Sequence, residues 1–379
     1  MKIKILICSI FFTTHQTVNA SALDLTFSSA CDSNSTLATI SFAGDILIHK
    51  ALYMAVVNES KHFNQLWNKT DPLIKKADYS VANLEGPAAI GINKNGKDRG
   101  DIGFVYDDDV YSGTNYVFNF HPRLLSDLKE SGLDLVTSAN NHSTDRFSIG
   151  IDKTIMAART INFPTVGTRK SDEQSGEYFK IVSIKNIRVA FVGCTEYINL
   201  PDNDNQVLFC ETEKLMGIIK GVSARPDVDA LIVLPHWGVE YSPEPKGYQK
   251  EVARRYLEAG ATAVIGSHPH VLQNWEKYTT KNGRETLILY SLGNFVAGQD
   301  TLPRKTGTIA YLGLSRTGTQ KAQIFGVAYT PTYRIGTAIV PVGKRDYPEV
   351  LEHVSLKYGT KARLEPEDSL IAHMCAKPK

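Results

Sequence analysis

Thr262-Ala263-Val264-Ile265-Gly266-Ser267-His268-Pro269-His270 is the stretch on which the reading of the fold turns. Four apolar or β-branched residues make a short buried-strand run, a glycine ends it, and two imidazoles follow at once. Open α/β sheets bind ligands in the crevice beyond the carboxyl ends of their strands, so a strand ending on histidines is a candidate wall of a site. Working outward, the arrangement recurs. Ala38 to Ala43 closes on Gly44-Asp45, and Tyr79 to Leu84 closes on Asn83-Leu84-Glu85-Gly86. Leu133 to Thr137 leads to Ala139-Asn140-Asn141-His142, with Asp145 three residues on, and Ala230 to Leu234 leads to His236-Trp237-Gly238-Val239-Glu240. Five separate strand ends that each deliver a carboxylate, amide or imidazole are hard to explain by packing.

Between these runs the period is helical. Pro122 opens a helix whose Leu124, Leu125 and Leu128 share one face and which Gly132 ends; Ile149 to Thr160 and Tyr248 to Ala259 are two more. Ile187 to Val192 and Thr286 to Tyr290 read as further strands. Strand alternating with helix predicts an α/β core with helices on both faces of a sheet. After Gly293 the pattern changes: Ile309 to Leu314, Lys321 to Tyr329 and Thr337 to Pro341 are strands without helices between them. The expected organisation is a tether at 21–37, a core at 38–300, and a β-rich C-terminal part at 301–379 packed on the same domain. Gly91 to Asp109, polar and glycine-rich, is expected as a surface loop or hairpin.

Residues 1–20 read as a signal peptide: Lys2 and Lys4, an apolar run from Ile3 to Phe12, then small residues with Val18-Asn19-Ala20 or Ala20-Ser21-Ala22 for a peptidase. Thr13 to Gln16 stop the run short of the roughly 20 apolar residues of a membrane anchor. The chain is therefore expected to be exported, to a periplasm or the medium, with no transmembrane anchor after cleavage. The formal net charge of +2 falls to zero with the two leader lysines, which leaves no basic excess for nucleic acid. Of five cysteines, Cys8 goes with the leader; Cys194 with Cys210, flanking a polar loop, and Cys31 with Cys375, near the two ends, are the expected disulfides.

Five of the ten histidines, His49, His142, His236, His268 and His270, lie in or beside the strand-end segments. Imidazoles mixed with carboxylate and amide oxygens suit zinc, manganese or iron better than calcium. Two such ions about 3.5–4 Å apart clamp a phosphate or another tetrahedral centre. Asp45 and Glu85 are both candidates to bridge them. Asn141 is placed to ligate while His142 faces substrate as an acid, with Asp145 orienting its imidazole.

Six ordered segments carry a resemblance. Phe42-Ala43-Gly44-Asp45, Asn83-Leu84-Glu85, Asn140-Asn141-His142 with Asp145 and Gly150, His236-Trp237-Gly238 with Glu240-Tyr241, Gly266 to Gln273, and Tyr290-Ser291-Leu292-Gly293-Asn294-Phe295 resemble the successive motifs of the CapA family of capsule and poly-γ-glutamate synthesis. That family is similar to the calcineurin-like metallophosphoesterases. The resemblance implies a metallophosphatase-like four-layer α/β/β/α sandwich, two divalent ions (Mn, Zn or Fe), and Asp45, Glu85, Asn141, His236, His268 and His270 as ligands, with His142 catalytic. Glu85 stands where the wider superfamily has aspartate, Ser267 where the family often has histidine, and His49 where many members carry arginine. His49 is thus a candidate extra ligand or substrate contact beside a plain polar role.

Trp237 and Tyr241 read either as packing or as a wall of the substrate cleft. Asn83, Glu240 and Asn294 are candidate substrate contacts, with support of a loop backbone the stronger reading for Asn294. Arg146, next to Asp145, is either a phosphate clamp or a solvated charge. Two functions of different kinds fit: a metal-dependent hydrolase acting on a phosphoester or an amide of an anionic envelope polymer, and a non-catalytic factor of the capsule-synthesis machinery that binds the polymer.

Overall fold

The computed structural model describes residues 23–29, 31, 34–114, 117–173 and 177–376. The leader at 1–20 lies outside them. In chain order the elements begin with β1 (Thr36–Leu47), α1 (Lys50–Asn58), α2 (Asp71–Ile74), β2 (Tyr79–Leu84), β3 (Ser112–Thr114), β4 (Val117–Asn119) and α3 (Arg123–Glu130). They continue with β5 (Leu135–Thr137), α4 (Phe147–Thr160), β6 (Thr165–Val166), β7 (Phe179–Ile184), β8 (Ile187–Thr195), α5 (Glu213–Ser223), β9 (Ala230–His236) and α6 (Gly247–Glu258). Next come β10 (Ala263–Ile265), β11 (Leu272–Thr279), β12 (Glu285–Leu292), β13 (Asn294–Ala297), α7 (Leu302–Lys305) and β14 (Thr306–Arg316). Last are β15 (Gln323–Ile335), β16 (Ala338–Pro341), α8 (Pro348–Tyr358) and α9 (Leu370–Cys375).

Two sheets stack face to face. One runs β16-β15-β14-β1-β2-β5-β6, with β13 also pairing β1; the other runs β11-β12-β10-β9-β8-β7. The central strands of each are parallel. They are near-continuous apolar runs, as strands covered on both faces must be: β9 is Ala-Leu-Ile-Val-Leu-Pro-His and is buried throughout. Ile40, Phe42, Val81 and Leu135 of the first sheet pack on Val189, Phe191, Ile232 and Leu289 of the second. The outer face of the first sheet is covered by α1, α2 and α3 through Leu52, Leu73 and Leu125, and the outer face of the second by α5 and α6 through Ile219 and Tyr256. The result is the four-layer α/β/β/α sandwich.

Two sequence expectations change here. The C-terminal strands complete the first sheet, β14 pairing antiparallel with β1 over Thr36–Phe42, but they are not the whole of the C-terminal part. Helices α8 and α9 follow them, and Val350, Val354 and Tyr358 of α8 seal the edge of the inter-sheet core. The segment expected as a tether is docked: the Leu23 carbonyl accepts from Trp275 Nε1 at 2.7 Å, and Ser28 donates to Glu285. Cys31 is joined to Cys375, and Cys194 to Cys210. Among the described residues no helix is long and apolar enough to cross a membrane.

Candidate metal centre

Parallel central strands point their carboxyl ends to one edge of the sandwich, and the polar strand ends meet there. Close backbone approach sets the first of them. A Cβ on Gly44 would collide with the carbonyl oxygen of Gly293, so only glycine lets β1 pair with β13 and lets the Asp45 N–H reach Gly293 O at 3.1 Å. Asp45 and Glu85 are then fully buried, with Asn141, His236, His268 and His270 buried around them. His268 (φ 100°) and His270 (φ 57°) both hold left-handed backbone, a conformation that costs on the order of 1–3 kcal/mol per residue and gathers at functional sites.

Six side chains from five strand ends converge. His236 Nε2 lies 2.9 Å from Asn141 Oδ1, 3.0 Å from His268 Nδ1 and 3.5 Å from Glu85 Oε1. His270 reaches Asp45 Oδ2 at 3.2 Å through Nδ1 and Glu85 Oε1 at 3.6 Å through Nε2. Glu85, His236 and His268 form one group whose ligand atoms could share an ion; Asp45, Glu85 and His270 form a second. Glu85 belongs to both, which singles it out from the two carboxylates expected to bridge.

The residues present fit a divalent cation. Separations of about 3.0–3.5 Å are the edges expected between ligand atoms about 2.0–2.2 Å from one ion. Neither carboxylate oxygen of Glu85 has a hydrogen-bond partner although both are buried, a costly arrangement unless a cation stands against them. Burial pushes the Glu85 carboxyl well above its ordinary range, with His270 acting against it. Burial likewise holds His236 far below the usual imidazole value and His268 down to about 3, so both present lone pairs. Burial acts the same way on His270, but Glu85 and Asp45 overcome it and raise it to about 9. The carboxylates thus demand positive charge at the place where a metal ion would supply it.

Beside this cluster His142 Nδ1 lies 2.8 Å from Asp145 Oδ2, which also accepts from the Phe118 N–H at 2.7 Å. The Phe118 ring packs edge-on against the imidazole at 4.8 Å. His142 is buried.

Several expected substrate contacts turn out to be scaffold. Trp237 is no cleft wall: it is fully buried, donates to Tyr290 O at 3.0 Å and stacks on the Tyr290 ring. Asn83 is buried and donates to Asp45 Oδ1 at 2.8 Å, with His236 Nδ1 at 3.2 Å, so it holds ligands in place. Asn294 faces His270 Nδ1 at 3.0 Å through Oδ1 and donates to Arg304 O at 2.8 Å. His49 belongs to neither ligand group; its Nδ1 sits by Leu47 O and the Gly298 N–H, and burial lowers it to about 4. Glu240 is half-buried and its charge reaches Glu85 and His270. Arg146 is neither clamp nor solvated charge. It is fully buried and donates to the carbonyls of Ile92, Asp145, Asp109 and Val110 and to Ser112 Oγ, tying the 92–112 loop to the centre.

Two residues at the end of β8 escaped the sequence reading. Tyr197 places its hydroxyl 2.8 Å from His268 Nε2, and Asn199 lies 3.3 Å from His142 Nδ1 while its N–H donates to Asn141 O at 2.8 Å. The strand-end rule applies to β8 as well: the strand is followed directly by a carboxylate, Glu196, which could have flagged it. A third grouping, His62, Asp127 and Glu130, is already satisfied within the protein: Arg123, His62 and the Phe63 N–H occupy Asp127.

Comparison with known proteins gives this geometry a context. The family model described as bacterial capsule synthesis protein PGA_cap matches residues 39–299. The "PGA biosynthesis protein CapA" of Bacillus subtilis (strain 168) is 28% identical over 288 residues, 75% of this chain and 70% of that protein. The "Capsule biosynthesis protein CapA" of Bacillus anthracis is 27% identical over 299 residues, 74% of this chain and 65% of that protein. Among solved structures, the NAD nucleotidase NadN of Haemophilus influenzae aligns with TM-score 0.46 and 10% identity, covering 90% of this chain and 59% of that one. With its family match running from the first central strand to just past Asn294, the chain belongs to the bacterial capsule synthesis proteins of the PGA_cap family.

Proposed function

We propose that this protein works outside the cytoplasm in making or processing capsule or poly-γ-glutamate, as a hydrolase that holds two divalent ions and cleaves a phosphoester or amide. Glu85 carries the reading: a fully buried carboxylate with no hydrogen bond to either oxygen, placed between His236 with His268 and Asp45 with His270. The leader-like residues 1–20 and the two disulfides support export. The names of the Bacillus relatives support the polymer context.

Asp45, Glu85, Asn141, His236, His268 and His270 would hold the ions. Zinc, manganese and iron all suit this mixture of donors. When bound, such ions polarise a phosphoryl or acyl oxygen and offset its developing charge. The chain's own residues do the rest. Asp145 accepts the Nδ1–H of His142, so that in its imidazolium form His142 gives the Nε2 proton to the leaving group as water adds to the phosphoryl or acyl centre. Tyr197 braces His268 and Asn294 braces His270, as partners outside a ligand set commonly do. Burial of the whole cluster keeps water from competing for these contacts.

The test is turnover by the purified protein of a chromogenic phosphodiester and of tri-γ-glutamate. Wild type is expected to turn over one of them, with His142→Ala slower by about 100-fold or more. Turnover unchanged in a combined Asp45→Ala, His142→Ala variant would sink the hydrolase. If such variants also restored capsule to a deficient strain, the site would serve assembly instead.

A further inference from the structure

Arg304 lies five residues past the end of the family match, which closes at 299. Its guanidinium sits over the ring of Tyr241, 3.6 Å from the centroid, and that ring is 6.0 Å from the imidazole of His270. Both layers of the stack are fixed from below. The Tyr241 N–H donates to Pro269 O at 2.7 Å, inside the histidine turn, and Tyr241 holds a left-handed backbone at φ 64°. Asn294 spans the two sides, facing His270 Nδ1 at 3.0 Å and donating to the Arg304 carbonyl at 2.8 Å.

The half-buried guanidinium is otherwise unused. Among the described residues no carboxylate forms an ion pair with it and no acceptor takes its N–H groups. Glu240, the residue before Tyr241 and the acid of that turn, does not pair with it. Neighbouring Arg334, by contrast, is tied to Asp300 and to the Gln299 carbonyl. A planar fork stacked on an aromatic ring, with its donors unspent, matches the geometry of a carboxylate or phosphate.

We infer that Arg304, stacked on Tyr241, is the anion-binding residue beside the metal centre, gripping an oxyanion of the substrate: an α-carboxylate of a γ-glutamyl chain or a non-reacting phosphate. This rests on the proposed function for its substrate. It adds the residue that selects an anionic one, and it assigns this position to binding rather than to chemistry.

The experiment measures binding by calorimetry with tri-γ-glutamate, with the same trimer amidated at its α-carboxyls, and with inorganic phosphate, in wild type, Arg304→Gln, Tyr241→Leu and Lys305→Gln. Metal content and Tm are recorded for each, so loss of the metal centre is seen separately from loss of anion binding. Arg304→Gln is expected to weaken the trimer or phosphate at least tenfold with metal content and Tm unchanged. The arm that weakens identifies the anion as carboxylate or phosphate. Tyr241→Leu is expected to weaken the same probe, and Lys305→Gln, whose ammonium lies instead over Tyr333, to stay within twofold. Four results would overturn the inference: Arg304→Gln within twofold of wild type for both anions, equal loss for the amidated trimer, equal loss in Lys305→Gln, or a wild type that binds neither anion.

Discussion

His142 Nδ1 stands 2.8 Å from Asp145 Oδ2, three residues away in the turn after β5, and both groups are buried. That contact fixes the tautomer and aim of the imidazole. Replacing Asp145 with asparagine keeps the volume but removes the charge. Turnover is expected to fall by about 10- to 100-fold with metal content unchanged, and to fall further in His142→Ala. Steady-state rates beside metal analysis check this. An Asp145→Asn enzyme as fast as wild type would remove Asp145 from the mechanism.

Arg146 makes a separate, structural prediction. Its removal takes a charged donor from four backbone carbonyls and a serine hydroxyl and leaves the buried Asp145 beside it without that guanidinium's charge. Arg146→Met should cost about 3–5 kcal/mol, in the range for breaking a buried charged network. Urea unfolding measures it. A loss below about 1 kcal/mol would mean the 92–112 loop does not depend on this side chain.

The Cys31–Cys375 disulfide closes a separation of 344 residues. Replacing both cysteines with serine should lower stability by about 2–4 kcal/mol. Because the segment from Leu23 to Ser28 lies on β11 and β12, protease cleavage near residue 30 should also accelerate. Intact stability and an unchanged cleavage rate in the double variant would contradict this.

Much of the centre was legible from local pattern. An apolar run that ends on Asp45, Glu85, His236 or His268, with a glycine within two residues, is visible in a short stretch, because strand and candidate ligand are near neighbours in the chain. What the sequence hid was tertiary. Arg146 read as a clamp or a solvated charge because, Asp145 O aside, its acceptors are three carbonyls and a serine hydroxyl 34 to 54 residues away. Trp237 could not be assigned to packing rather than to a cleft wall, because the acceptor of its indole is Tyr290 O on another strand. Glu85 could not be preferred to Asp45 as a bridge until His236 and His270 were seen on either side of it. That the strands after Gly293 join the first sheet itself was not legible, because their partner, β1, is the first strand of the chain.

Metal removal should act on stability as well as on rate. Stripping the ions leaves both oxygens of the buried Glu85 carboxyl without a partner, so a chelator should lower Tm by several degrees, and the metal should restore it. A Tm indifferent to chelator and to added zinc or manganese would argue that no ion is bound there.

Metal stoichiometry of the purified protein, by elemental mass spectrometry, bears most directly on the central assignment of Glu85. Close to two divalent ions per chain are expected in wild type, about one in His270→Ala, and fewer than 0.5 in Glu85→Ala, since both ligand groups need that carboxylate. A folded wild type with no stoichiometric metal, or a Glu85→Ala protein that keeps its full complement, would contradict it.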